Sequence, residues 1–193
     1  MKKLLLAVGL TSLIFTSCAR DAELVSEMPQ ASISSVSNAK NEIVLNKAEI
    51  KTFLSDISKM GVKLSDDQMR IISKQRHTKP NGLFAPRPAL NLTAEQNLNT
   101  HFDKHKSQFP AIKTKDEYLK TAIAYLNNNS PTAKYYFDVT SFAKGYQSNV
   151  VKWDSKTNEL SAVREDGAVT TYYRDNKMDP KRFVVVPAEF VYE

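Results

Sequence analysis

Between Pro131 and Val186 the apolar residues change period, and that change limits the fold more than any other feature of the chain. Before it, apolar side chains recur at three- and four-residue steps, the pattern of helices with one buried face. After it come five short runs rich in aromatic and β-branched residues: Tyr135 to Val139, Asn149 to Trp153, Glu159 to Val163, Ala168 to Tyr173 and Arg182 to Val186. Turn-forming stretches such as Asp154 to Asn158 and Glu165 to Gly167 separate them, so the runs read as successive antiparallel strands. Helices followed by a meander of strands make an α+β fold. We expect two helices packed on a four- or five-stranded antiparallel sheet, preceded by a small helical segment and a flexible tether.

The helices carry their own start signals. Ser65-Asp-Asp-Gln68, Thr93-Ala-Glu-Gln96 and Thr114-Lys-Asp-Glu117 each have the S/T-x-x-E/Q form in which the first and fourth residues satisfy each other's free backbone N–H groups. Ile50, Phe53, Leu54 and Ile57 mark a further helix that Gly61 ends, and Leu98, Phe102 and His105 lie along one helix stripe. The stretch 79–92 holds three prolines and a glycine. It reads as a linker, with residues 46–78 a small helical segment before it and residues 93–193 the principal domain after it.

The N-terminus predicts export. Lys2 and Lys3, an apolar run from Leu4 to Phe15, and the small residues Thr16 and Ser17 form a signal over residues 1–17. The apolar run is too short for a permanent membrane span. Cys18, the one cysteine of the chain, stands directly after it. A lone exported thiol has no disulfide partner, and Phe15-Thr16-Ser17-Cys18 resembles a bacterial lipobox, which implies lipidation of Cys18 and a membrane anchor. Residues 18–45 are polar and serine-rich, the composition of a tether. Net charge is +6, with the excess mostly in the first half of the chain, so bulk charge alone does not imply a nucleic-acid partner.

Chemistry concentrates between residues 98 and 109. His101 and His105 stand four positions apart with Lys104 between them, so on a helix both imidazoles share a face, with Cβ atoms ~6 Å apart. The order of His101-Phe-Asp-Lys-His105, then Tyr118 to Ala122, then Trp153-Asp154, then Asp166-Gly-Ala-Val-Thr-Thr-Tyr172 resembles the C-terminal nuclease domains of bacterial polymorphic and contact-dependent toxins, in the barnase–EndoU–colicin–RelE superfamily. The match spans residues 95 to 190, and departs from the pattern at Lys106 (commonly glycine) and Thr170 (often basic).

That resemblance implies a metal-independent endoribonuclease, with tRNA among its candidate substrates, that uses the RNA's own 2′-hydroxyl and needs no cofactor. His101 and His105 would be the acid–base pair; we expect His105 to be the more sensitive, because it lies beside Lys104 and nearer the helix end that faces the sheet. Lys104 would stabilise charge in the transition state, and Thr171 would donate a hydrogen bond. Tyr173 and Arg174 would bind substrate. Alternation along the strand puts Thr171 and Tyr173 on one face and Thr170 and Tyr172 on the other. A toxin of this kind also implies a cognate immunity protein. Two other readings stand beside it. One is a non-enzymatic surface lipoprotein whose α+β domain binds a partner. The other is a zinc hydrolase, for which the HxxxH pair lacks the glutamate of HExxH and the only other histidine, His77, lies beyond the proline-rich stretch.

Overall fold

The computed structural model describes residues 48–192. The export segment, Cys18 and the tether lie outside the described residues. Five α-helices occur among the described residues: α1 (Ala48–Lys59), α2 (Asp66–His77), α3 (Ala94–His105), α4 (Lys115–Asn127) and the short α5 (Val139–Ala143). The strands are β1 (Ala133–Asp138), β2 (Val150–Asp154), β3 (Glu159–Val163), β4 (Val169–Arg174) and β5 (Phe183–Val185). They form one sheet of order β4-β3-β2-β1-β5, antiparallel at every pairing. The α+β architecture expected from the change of period is therefore the fold.

All three capping boxes form, with Ser65, Thr93 and Thr114 each accepting from the backbone of the residue three ahead. Helix α1 stops at Gly61, whose φ of 77° lets Val62 N–H reach Ile57 O at 3.2 Å and Gly61 N–H reach Ser58 O at 2.9 Å. That bond pair is the Schellman closure glycine permits. Helix α4 ends without a glycine. Instead Lys152, buried in β2, donates from Nζ to the carbonyls of Tyr125 and Leu126 at 2.9 and 3.1 Å and to that of Asn128. A buried ammonium is tolerated there because it satisfies the helix's last acceptors and meets the negative end of its dipole.

One face of the sheet carries two cores side by side. Ile50, Phe53, Ile57 and Ile72 of α1 and α2 pack on Phe137, Val150, Val184 and Val186, and Phe190 closes the cluster. Each fully buried side chain of this kind stabilises the fold by ~1.5–3 kcal/mol. Beside it Leu98, Phe109, Tyr118, Ala122 and Tyr125 pack on Val163, Val169 and Tyr172, and Tyr118 donates its hydroxyl to the Tyr172 carbonyl.

Residues 79–92 do not separate two bodies. The helical pair before this stretch shares its core with the sheet after it, and the stretch itself is strapped to the start of β4. Asn81 N–H donates to Gly167 O at 2.9 Å, Val169 N–H to Leu83 O at 2.9 Å, and Ala85 N–H to Val169 O at 2.7 Å, with Phe84 bridged parallel to Val169. The strap thus pairs the backbone of Val169, at the edge of the sheet, on the side that β3 leaves open. A second departure from expectation is Val139. It leaves the strand because the Asp138 carboxylate accepts from Thr140 and Ser141 N–H, both at 3.1 Å, and so caps α5.

Candidate functional site

Helix α3 stands at the β4 edge and faces two ways. Leu98 and Phe102 enter the core beneath the sheet. Asn97, His101 and His105, spaced by four, form the neighbouring stripe, which turns towards the other face. There His101 lines a cleft of about 330 Å³ with Asn97, Thr171, Tyr173, Arg87 and Arg182, over a floor that includes Val151, Leu160 and Ala162. Tyr172 is fully buried in the opposite core, so the expected alternation along β4 holds at 171 to 173.

The His101 ring packs against Phe84 (centroids 5.2 Å apart) and lies 5.9 Å from the His105 ring. Its Nδ1 is buried without a partner, which leaves Nε2 as the nitrogen able to reach a ligand. His105 is buried and stacks on Tyr173 with ring centroids 5.1 Å apart and planes 17° apart. It braces the rings that line the cleft rather than lining it. His101, and not His105, is therefore the better placed of the pair for direct chemistry, which corrects the order expected from sequence. Four buried side-chain polar atoms among the described residues have no partner, and two of them, Asn97 Oδ1 and His101 Nδ1, lie on this one stripe. Fold-building rarely leaves buried polar groups unpaired, so the coincidence marks the site.

Burial first, then His105, Lys104 and Arg87 nearby, lower the His101 pKa to about 4. His105 is lowered as well, chiefly by burial and then by Lys104, with its hydrogen bond to Gln108 opposing. Both rings are neutral at pH 7, the state in which a histidine accepts a proton. Burial pushes the Tyr173 hydroxyl up, so it remains protonated.

Arg182 reaches the cleft already oriented. It donates from Nε and Nη2 to the two oxygens of Asp138 at 2.9 and 2.6 Å, and Ser141 Oγ donates to the same carboxylate at 2.6 Å. Burial alone would raise the Asp138 pKa, but these bonds hold it below its ordinary value. The second cation, Arg87, stands between Pro86 and Pro88 and has no salt-bridge partner among the described residues.

His101, Thr171 and Tyr173 thus come together, with His105 behind them. Lys104 and Arg174 do not join them. Lys104 is exposed and acts on the histidines only through its charge. Arg174 pairs with Glu159 in register, shares the face of Tyr172 by alternation, and lays its guanidinium over Phe109 at 5.0 Å. Sequence reasoning missed Arg87, Asn97, Asp138, Ser141 and Arg182. The Asp138-x-x-Ser141 spacing is a capping signal that could have flagged the α5 turn, but nothing local announces that Arg87 and Arg182 converge.

Among the described residues no cluster of three or more His, Cys, Asp or Glu side chains could hold a metal ion, and His77 is bonded to the Phe190 carbonyl at 3.0 Å. A larger open groove of about 1100 Å³ crosses the helical face. Of the four basic residues that line it, Lys152 is committed to α4, Arg76 lies over the Tyr135 ring at 3.9 Å and Lys59 pairs with Asp56 at 2.8 Å. No helix among the described residues is long and apolar enough to cross a membrane. The chain matches no family model and no curated protein.

Proposed function

We propose that the chain is an exported, lipid-anchored toxin whose sheet-face cleft cleaves RNA without a metal, and that a cognate immunity protein covers that cleft in the producing cell. The observation that carries this reading is a neutral His101 that lines one cleft with Thr171, Tyr173 and the cations Arg87 and Arg182. In the reaction, His101 Nε2 takes the proton of the 2′-hydroxyl, and the 2′ oxygen bonds to phosphorus as the bond to the 5′ oxygen breaks. Arg87, Arg182 and the Thr171 hydroxyl stabilise the crowded phosphorane. The Tyr173 hydroxyl donates to the departing 5′ oxygen. A 2′,3′-cyclic phosphate and a 5′-hydroxyl are the products.

The mature chain, incubated with RNA in excess EDTA, is expected to yield cyclic-phosphate ends. His101→Ala should lower kcat by about 10²–10⁴-fold, and Thr171→Val by less, with melting temperatures near wild type for Thr171→Val. Lys104→Ala should change kcat little, since its side chain lies outside the cleft. Wild-type protein that is inert on RNA, or His101→Ala protein that is folded and fully active, overturns the nuclease reading.

The partner-binding lipoprotein is favoured by one observation. Leu83 and Leu90 of the strap are 63% and 56% exposed, large apolar side chains of the kind a protein partner would cover. A catalytically inert wild type that still captures a partner through these two residues would support it.

A further inference from the structure

We propose that Tyr146 and Arg87 form a subsite for an unpaired nucleobase at the mouth of the cleft, so that the substrate class is single-stranded RNA; this rests on the nucleic-acid reading above. Tyr146 is a large ring left 45% exposed, yet the loop bearing it is pinned on both sides. Gly145, at φ 66°, makes the bend, and Tyr146 N–H donates to Ser141 O at 3.0 Å. Buried Gln75 of α2 donates to Gln147 O at 2.9 Å and accepts from the N–H groups of Asn149 and Val150 at 2.9 and 3.1 Å. Ser148 Oγ donates to Val163 O at 2.8 Å. An exposed aromatic side chain on so constrained a backbone is a pre-set surface, and its ring has no aromatic neighbour among the described residues.

What the ring does have is a cation. The Arg87 guanidinium lies 5.5 Å from its centroid, on the strap that β4 holds in place. Tyr146 and Arg87 line the same cleft as His101 and Thr171. A base stacked on the phenol would place its own phosphate within the field of Arg87, and the next phosphodiester would lie towards His101. Stacking on an aromatic face needs an unstacked base and tolerates any of the four, whereas a base inside a duplex has no free face to offer.

The test uses the mature chain and two uncleavable decamers: a 2′-O-methyl oligoadenylate, and a 2′-O-methyl ribose–phosphate chain of equal length without bases. Binding is read by fluorescence anisotropy. Wild type should prefer the base-bearing decamer by roughly tenfold or more. Tyr146→Ala should bind both within about threefold of each other, and Tyr146→Phe should retain the preference, because it keeps the stacking face. A folded Tyr146→Ala protein with undiminished preference overturns the subsite, as does a wild type that binds both decamers equally. Because neither probe can be cleaved, a wild type that shows the Tyr146-dependent preference but cleaves no RNA upholds the subsite while the catalytic reading fails. Failure to bind either decamer removes the subsite, and the catalytic reading is then decided by the cleavage assay alone.

Discussion

His101 shows how one residue can carry a site and tax the fold that holds it. Its imidazole is packed against Phe84 with Nδ1 unpaired, and burial lowers its pKa from 6.5 to about 4. Between those two values the unfolded chain binds more protons than the folded one. The stability associated with the neutral ring is therefore complete above pH 6.5 and is lost as pH falls towards 4. The loss should be on the order of 2 kcal/mol, added to a contribution of the same sign from His105. Urea midpoints at pH 7 and pH 4.5 should diverge in wild type and converge in part in His101→Gln; an unchanged gap would contradict the burial of this ring. The acid limb of kcat/KM should likewise lie well below pH 6.5.

At the scale of elements, the strap and the helical pair decide whether the cleft exists. The strap's return past the β3–β4 turn depends on Gly167, whose φ is +87° and where a Cβ would meet the Lys79 carbonyl at 2.6 Å. Gly167→Ala combines that collision with an unfavourable backbone. It should cost ~1–3 kcal/mol and weaken RNA cleavage by loosening Arg87, measurable by denaturant unfolding and by KM. The helical pair supplies Phe53, Ile57 and Ile72 to the core and Gln75 to the Tyr146 loop. A fragment beginning at Thr93 strips the cover from Phe137, Val184 and Val186. It should give poorly dispersed NMR spectra and no cooperative melt, while a fragment beginning at Ala48 should unfold cooperatively.

For the whole molecule, the proposed toxin needs an anchor as well as a cleft, and the cleft draws only on residues 85–182. Cys18 stands outside the described residues, so the anchor rests on its place after the apolar run. Metabolic labelling with an alkyne fatty acid should mark wild type and leave Cys18→Ser unmarked, with the variant recovered in soluble fractions. Equal labelling of the two would end the lipid-anchor proposal. Cleavage by the purified mature protein should be indifferent to this substitution, since the proposed chemistry uses only residues 87–182.

Local signals determined what local physics controls. Capping boxes at Ser65, Thr93 and Thr114 opened helices where their spacing said they would, because a cap is satisfied within four residues. The two-residue period drew the strands and put Thr171 and Tyr173 on the face opposite Tyr172, because alternation is a property of the strand alone. The four-residue spacing likewise set His101 and His105 on one helix stripe. Which of the two lines the cleft was settled by packing against Phe84 and Tyr173, residues 17 positions before and 68 after their histidine partners. Arg87 and Arg182 were illegible for the same reason, since the strap and β5 reach the cleft only once the sheet has formed. Residues 79–92 look like a linker by composition, yet Asn81, Leu83 and Ala85 find backbone partners on Gly167 and Val169. Prolines and a glycine describe what a segment cannot do alone; only the tertiary structure decides what an open sheet edge will make of it.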